Sequence, residues 1–292
     1  MAEIPRATYR LQLRNGVGFA GAKAIVPYLA RLGISHLYLA PAFKARAGST
    51  HGYDVADATE LDPELGGMAG FEALAHSLRE HGLGLILDIV PNHMGIGPDN
   101  PWWWDVLEHG RSSRYAGFFD IDFERDPDGK LVLPTLGAPL DEVLSKGELK
   151  LKRDEAKGGL VLAYYDTPFP LAPGSAAGLD PERADEGAMR RLLDAQAYRL
   201  TFWRESERRN YRRFFDIGEL AGLRIELPDV FEATHALIFD LVERGLVQGL
   251  RIDHVDGLAD PKSYLDRLQD RLKHVTRSDQ PFYLLVEKIL VG

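Results

Sequence analysis

The sequence predicts an α/β fold that comprises the first five strands of a (β/α)8 TIM barrel, with a long subdomain inserted after the third strand. Short runs of Leu, Ile and Val that end at Asp88, Asp253 and Glu287 have the composition of buried strands in a parallel sheet. Helical patterns with one apolar face alternate with these runs. Because a closed barrel needs eight strands and only five are found, the chain is expected to be a fragment of such a barrel.

The predicted elements follow one another in a strand–helix rhythm. Strands are predicted at 7–13, 34–40, 83–88, 247–253 and 282–287. Helices are predicted at 19–32, around the apolar face of Phe71, Leu74 and Leu78, at 228–245 and at 261–274. Residues 41–67 are predicted to form a long loop, and Gly33 and Gly82 are predicted to end the first two helices.

The rhythm is lost between residues 93 and 227. This stretch holds Pro and Gly clusters, strand-like pieces at 130–133 and 159–165, and a polar helical segment at 181–204. Uninterrupted loops of such length are uncommon in compact domains and are usually lids or inserted subdomains. The predicted organisation is therefore strands one to three in 1–92, a lid-like subdomain in 93–227, and strands four and five in 228–292.

Composition excludes several classes of function. The chain has 35 basic and 44 acidic residues, a net charge of −9, which argues against nucleic acid or an anionic membrane as a partner. The sequence has no cysteine, which excludes disulfides and thiolate metal sites. No apolar stretch approaches the roughly 20 residues that a bilayer-spanning helix needs. The first 14 residues lack the apolar centre of a signal peptide. A cytoplasmic protein is expected.

The acidic residues at the strand ends predict an enzyme. With the period of two that strands follow, Asp253 shares a face with Arg251, while Leu250 and Ile252 point the other way. Charge at the end of a buried strand is costly, and in α/β barrels that rim carries catalysis. A single acidic residue there is more often a turn or cap residue. Three of them, with Arg and His attached, favour an active site.

Four separated motifs resemble the α-amylase superfamily. They are Asp88-Ile-Val-Pro-Asn92-His93, Gly249-Leu-Arg251-Ile-Asp253, the strand that ends at Glu287, and Gly52-Tyr53-Asp54-Val55, which is similar to a tyrosine platform segment. A narrower resemblance is to the malto-oligosyltrehalose synthases, the glucosylmutase branch of the superfamily. It rests on residues 8–13, 49–54, 210–216 and 253–261. Their shared order makes the resemblance specific.

The resemblance implies a role for each site residue. Asp253 corresponds to the nucleophile of a retaining glycosidase, and Arg251 is expected to keep it ionised by charge pairing. Glu287 corresponds to the acid/base, whose pKa is expected to be raised towards neutrality. The implied substrate-binding residues are Tyr53, Asp54, Asp88, His93, Arg251 and His254. For His254, as for His51, a hydrogen bond within its own loop is an equal alternative. The resemblance implies no organic cofactor, and no acidic cluster calls for a metal.

The implied reaction converts the reducing-end α-1,4 linkage of a malto-oligosaccharide into an α,α-1,1 linkage. Many amylases carry His four residues after the nucleophile, whereas Gly257 stands here, which favours the glucosylmutase branch. Two alternatives remain: an α-glucan hydrolase of the same superfamily, and a non-catalytic glucan-binding remnant. The superfamily's third catalytic carboxylate would lie beyond Gly292, so the isolated chain is expected to be inactive. Residues 102–104, three Trp, either stack on sugar or anchor the inserted subdomain.

Overall fold

The computed structural model describes residues 4–288, which form two compact units. One unit contains the described parts of Met1–Gly95 and Phe214–Gly292, and the other is Ile96–Arg213. The sequence placed its domain limits at 92/93 and 227/228, and these limits remain a prediction. Residues 1–3 and 289–292 of the predicted terminal segments lie outside the described residues.

The secondary structure contains all five predicted strands. In chain order the strands and α-helices are β1 (Thr8–Leu11), α1 (Phe19–Ala24), α2 (Val26–Arg31), β2 (His36–Leu39), β3 (Phe43–Ala45), β4 (Val55–Leu61), α3 (Gly67–Glu80), β5 (Gly84–Ile89), β6 (His93–Gly95), α4 (Pro101–His109), β7 (Leu131–Leu136), α5 (Leu140–Ser145), β8 (Leu149–Asp154), β9 (Gly159–Tyr164), β10 (Thr167–Phe169), α6 (Glu186–Asp194), β11 (Tyr198–Phe202), β12 (Arg213–Phe214), β13 (Ile217–Gly222), α7 (Pro228–Glu243), β14 (Gly249–Ile252), α8 (Pro261–Thr276) and β15 (Tyr283–Val286). The predicted strands correspond to β1, β2, β5, β14 and β15.

The five predicted strands form one parallel sheet in the order β1-β2-β5-β14-β15. Its register pairs Arg251 with Asp88 on β5 and with Leu285 on β15. The neighbouring positions of β14, Leu250 and Ile252, are fully buried and belong to the apolar core. The carboxyl ends of parallel strands meet at one edge of a sheet, so this register brings the predicted acidic residues together there.

Two regions of the sheet-bearing unit differ from the sequence expectation. The predicted helix at 19–32 is broken at Ile25, because Pro27 lacks an N–H and fits only the first turn of a new helix, α2. The predicted loop at 41–67 contains the antiparallel pair β3–β4. A buried ion pair between Arg14 Nη1 and Asp62 Oδ2, 2.8 Å long, anchors this segment. Its irregular register, with shifts on both sides of Lys44, conceals the alternation that would have predicted the strands.

The second unit contains a three-stranded antiparallel sheet, β10-β9-β8, and the parallel pair β7–β11. The predicted helix at 181–204 is wrong in its second half. Glu186–Asp194 forms an α-helix, residues 198–202 form β11 instead, and a 3-10 helix begins at Trp203. Tyr198 is buried there and donates its hydroxyl to the carbonyl of Pro170 at 2.9 Å, so tertiary packing overrides the local helical pattern.

The three consecutive Trp residues of α4 pack within the second unit. Trp102 stacks on Tyr115 with ring centroids 5.6 Å apart, and Trp103 meets the edge of Phe119 at 5.0 Å. Both indoles are buried. Trp104 is half-buried, with Lys157 Nζ 4.3 Å from the centre of its ring. These contacts place Trp102 and Trp103 in the core of this unit.

No helix in the described part of the chain is both long and apolar enough to cross a membrane.

Candidate active site

Arg251 connects three carboxylates at the carboxyl edge of the parallel sheet. Its Nη1 lies 2.8 Å from Asp88 Oδ1 and 2.7 Å from Asp253 Oδ1. Its Nη2 lies 3.3 Å from Glu287 Oε2. Asp88 lies on β5 and Arg251 on β14, while Asp253 and Glu287 directly follow β14 and β15, so the parallel register brings the four residues together. One guanidinium therefore faces three carboxyl groups, so the cluster keeps an excess of negative charge when all three are ionised.

Asp88 is completely buried and accepts hydrogen bonds at both oxygens. Its Oδ2 accepts from the hydroxyls of Tyr38 and Tyr53, each at 2.8 Å, while its Oδ1 accepts from Arg251. Arg10 donates to the Tyr53 hydroxyl at 3.0 Å, and its guanidinium lies 5.4 Å from the centre of the Tyr38 ring. This network fixes the Tyr53 loop to the sheet.

Burial and hydrogen bonding act in opposite directions on Asp88. Burial raises the pKa of its carboxyl, and the attraction of Arg251 together with the two tyrosine hydroxyls offsets only part of that rise. Burial and the negative charge of Asp88 raise the pKa of Tyr38 to about 12, so Tyr38 stays protonated and continues to donate. Burial tends to lower the pKa of Arg251, but Asp88, Tyr38 and Asp253 together outweigh burial and raise that pKa, so the guanidinium stays charged.

The pKa shifts of the two predicted catalytic carboxyls are opposite to the sequence expectation. Burial raises the pKa of Asp253 to about 7, because Arg251 does not compensate for the lost water and Asp88 and Glu287 add repulsion. Burial raises the pKa of Glu287, but the His254 N–H, Arg251 and Asp253 together lower it more. This pKa therefore lies below its usual value. The expectation that Arg251 keeps Asp253 fully ionised is thus wrong for this chain. The expectation of a raised pKa at Glu287 is also wrong here, because the His254 N–H, Arg251 and Asp253 outweigh the burial of a side chain that is still 43% exposed.

The raised pKa of Asp253 predicts a pH-dependent cost to stability. Since the pKa is higher in the folded state, the contribution of the protonated form is complete below about pH 4 and is lost as the pH rises through 7. Asp253→Asn, which stays neutral, should therefore stabilise the fold at pH 8, by on the order of 3 kcal/mol. Melting temperatures of parent and variant at pH 8 and pH 4 check this. A stabilisation that does not shrink at pH 4 would contradict the titration of Asp253 as its cause.

His254 occupies a strained turn directly after Asp253. Its φ of +47° is in the left-handed region, which is uncommon for a residue other than glycine. In this conformation its backbone N–H donates to Glu287 Oε2 at 2.9 Å. Its imidazole lies beside two aromatic rings, with centroids 4.8 Å from Phe214 and 5.0 Å from Phe215. Local backbone strain of this kind concentrates at functional sites.

The remaining predicted residues lie around this cluster with different exposures. His93, on β6, is buried, and its ring centroid lies 4.3 Å from that of Phe214. Asp54 accepts a short hydrogen bond from Ser49 and lies 3.8 Å from His51 Nδ1. His51 Nδ1 accepts from the Tyr53 N–H at 3.0 Å, which is the loop hydrogen bond expected as one alternative. Asp54 and His51 therefore shape the loop that carries Tyr53.

Sequence reasoning missed Tyr38, Arg10 and the aromatic pair Phe214–Phe215. Tyr38 alternates with the buried Leu37 and Leu39 on β2, so the period of two placed a polar hydroxyl on the face that carries Asp88. That signal was present but is weak in one Tyr within an apolar strand. Nothing local in the sequence links Phe214 to His93 or His254. Within the part of the chain that the structure describes, no group of three or more His, Asp and Glu is arranged to hold a metal ion.

Known proteins share sequence similarity with this chain. The alpha amylase catalytic domain matches residues 14–142. A Mycobacterium tuberculosis protein named as a maltooligosyl trehalose synthase is 46% identical over 291 residues, 97% of this chain and 34% of its own length. The intracellular maltogenic amylase of Bacillus subtilis is 40% identical over 94 residues, 32% of this chain and 15% of its own length.

A solved structure extends this similarity to the fold. The maltooligosyltrehalose synthase of Arthrobacter ramosus superposes with a TM-score of 0.86 and 42% identity, covering 99% of this chain and 35% of that chain. The chain thus spans about a third of the length of the relatives it matches. The chain is similar over residues 14–142 to the alpha amylase catalytic domain and over nearly its whole length to maltooligosyltrehalose synthases.

Proposed function

We propose that this chain supplies the first five strands and the nucleophile–acid/base pair of a (β/α)8-barrel glucosylmutase. The enzyme converts the reducing-end α-1,4 linkage of a malto-oligosaccharide into an α,α-1,1 linkage, which leaves a trehalose-ended product. The observation that carries the proposal is the Arg251-centred cluster, in which Asp253 and Glu287 bind one guanidinium at the carboxyl edge of the sheet. A retaining glycosidase requires two carboxyl groups that face one glycosidic bond, and this cluster provides them.

The proposed reaction has two balanced steps. Asp253 attacks the anomeric carbon, the glycosidic C–O bond breaks, and Glu287 gives its proton to the departing oxygen. The released glucose stays bound and turns, and its own anomeric hydroxyl then attacks the glycosyl-enzyme. Glu287 takes the proton of that hydroxyl as Asp253 leaves. Both carboxyl groups return to their starting states, and no water is consumed.

This chemistry requires the proton to move from Asp253 to Glu287 before attack. The His254 N–H, Arg251 and Asp253 lower the pKa of Glu287, and burial opposes them only in part because 43% of this side chain, which follows the edge strand β15, is exposed. A further strand beside β15 would remove water from Glu287 and raise its pKa, since desolvation disfavours the charged form. Asp253 and Glu287 interact strongly enough to titrate as a pair, so a higher pKa on Glu287 favours ionised Asp253. Completion of the barrel would thereby set the active protonation state.

The remaining site residues bind and position the sugar. Tyr53 stacks on the ring whose anomeric carbon reacts, and Asp88 holds Tyr53 and Arg251 in place. Asp54 shapes the Tyr53 loop through Ser49. His93 and His254 contribute polar groups beside the reacting bond. The predicted inserted subdomain, residues 93–227, is proposed to exclude water while the released glucose turns.

The proposal is tested with a completed enzyme, in which this chain replaces the matching third of the Arthrobacter ramosus relative. Incubation with maltopentaose should lower the concentration of reducing ends without a change in chain length. An increase in reducing ends would instead indicate an α-glucan hydrolase, which uses the same residues but admits water. Binding of maltopentaose without turnover would indicate a glucan-binding remnant. The unaltered Arthrobacter ramosus relative provides the reference activity.

The 292-residue chain alone should be inactive and should associate. In the described structure the two edge strands of the sheet, β1 and β15, have a strand neighbour on one side only. Tyr9 on β1 and Val286 on β15 are exposed. Exposed strand edges and apolar side chains promote intermolecular pairing. Light scattering and the maltopentaose assay on the isolated chain check this prediction. A monodisperse monomer that forms trehalose-ended product would contradict it.

A further inference from the structure

His254 is the residue that connects the reacting carboxyl groups to the surrounding aromatic side chains. Its backbone N–H donates to Glu287 Oε2 at 2.9 Å, while its imidazole is half-buried and points away from that bond towards Phe214, Phe215 and Gly257. Since φ at His254 is +47°, the ring and the N–H are held in an uncommon conformation by their contacts. A contact that moves the ring should therefore also move the N–H.

Gly257 defines one side of the space that the His254 ring occupies. A methyl group on Gly257 would lie 2.7 Å from both His254 Nε2 and Asn92 Oδ1, and closer still to His254 Cδ2. Real side-chain carbons do not approach that closely, so a substitution must displace the ring. The backbone of Gly257 does not have positive φ, so alanine would be free of backbone strain there. Its requirement for glycine is therefore one of space.

Phe214 is a second neighbour of the His254 ring and links the two histidines of the site. Its ring centroid lies 4.3 Å from that of His93 and 4.8 Å from that of His254. Phe215 packs at 4.6 Å against Phe214 and is itself 62% exposed with φ of +46°, an arrangement that costs stability. A function of Phe214 and Phe215 in the site would explain why an exposed aromatic residue with a strained backbone is found beside the reacting groups.

We propose that Gly257 and Phe214 are positioning residues that together clamp the His254 ring in its observed position and thereby keep its backbone N–H on Glu287. The clamp holds the His254 ring in the space that a side chain at position 257 would otherwise fill. Neither residue touches the substrate. This inference rests on the role of Glu287 in the proposed function, because its kinetic effect is transmitted through that carboxylate.

Gly257→Ala in the completed enzyme tests the clamp. Displacement of the acid/base by about 1 Å can cost on the order of 100-fold, so kcat should fall about 100-fold with a smaller change in KM. Loss of the His254 hydrogen bond should also raise the pKa of Glu287, which faces Arg251, Asp253 and His254, so the basic limb of the kcat/KM profile should move to higher pH. Gly159→Ala, where a methyl group meets nothing within 4 Å, is the matched control and should behave like the parent.

A double-mutant cycle separates the clamp from a general packing defect. Gly257→Ala should cost far less when the ring is absent, so His254→Ala/Gly257→Ala should resemble His254→Ala alone. Additive losses, or a parental kcat and pH profile in Gly257→Ala, would overturn the proposal. Phe214→Leu should shift the pH profile in the same direction, whereas Phe202→Leu, a half-buried phenylalanine that packs on Trp203, should not.

Crystal structures of the completed parent and of Gly257→Ala test the clamp independently of any reaction. The distance between His254 N and Glu287 Oε2 should lengthen beyond hydrogen-bonding range in the variant only. An unchanged distance would overturn the clamp even if the enzyme proves to be a glucosylmutase. A lengthened distance in an enzyme that hydrolyses maltopentaose would support the clamp and reject the proposed reaction.

Discussion

Asp253→Asn should reduce kcat of the completed enzyme by at least about 1,000-fold while the fold is retained. The amide has nearly the same shape as the carboxyl group but cannot form the glycosyl ester, so the covalent step is lost. Folding should persist because Arg251 keeps its contacts with Asp88 and Glu287 and one buried negative charge is removed. Initial rates with maltopentaose and a circular dichroism melt measure the two effects separately.

A matched control for this variant is Asp266→Asn. Asp266 forms a surface ion pair with Lys262 on α8, where its side chain is 64% exposed, so its charge should have little influence on the site. Its turnover should stay within about twofold of the parent. Near-parental turnover in Asp253→Asn would show that the nucleophile has been assigned to the wrong residue.

Glu287→Gln should reduce turnover of maltopentaose by about 100- to 10,000-fold, the usual contribution of general acid–base catalysis. The loss should be much smaller for formation of the glycosyl-enzyme from a malto-oligosyl fluoride. Fluoride departs without a proton, so it does not need the acid. Single-turnover kinetics with both substrates separate the step that requires protonation from the rest of the cycle.

The pattern of the two losses is decisive for Glu287. If the glucan and the fluoride lose equal amounts, the residue acts by orienting Arg251 or the His254 N–H and not by proton transfer. Glu219→Gln is a suitable control because this carboxyl group lies on β13, outside the Arg251 cluster. It should leave the rates with both substrates near the parental values.

The sequence predicted the parallel sheet and its acidic edge because both depend on local pattern. Buried parallel strands are nearly continuous apolar runs, and the period of two placed Arg251 and Asp253 on one face. The antiparallel pair β3–β4 and the strand β11 were missed for a physical reason. β3 is short and pairs with β4 in an irregular register, whereas β11 has a helical local pattern and is stabilised by pairing with β7, which is distant in sequence.

The electrostatics of the site could not be predicted from motif spacing. The motif spacing predicts that Arg251 lies beside Asp253. The folded structure shows in addition that the same guanidinium binds Asp88 and Glu287. Sharing one cation among three carboxyl groups leaves burial as the dominant influence on Asp253. The direction of the Glu287 shift depends in turn on the His254 N–H and on solvent exposure of an edge strand. Neither feature has a local sequence signal.

In the proposed mechanism Asp253 forms a covalent bond with the sugar while Glu287 serves as acid/base. The most direct measurement is peptide mass mapping of the Glu287→Gln completed enzyme after reaction with a malto-oligosyl fluoride. Without its base, this variant should accumulate the glycosyl-enzyme, and the added sugar mass should lie on the peptide that contains Asp253. Sugar attached to Asp88 or to another carboxylate, or release of product with no adduct at any time, would contradict the account.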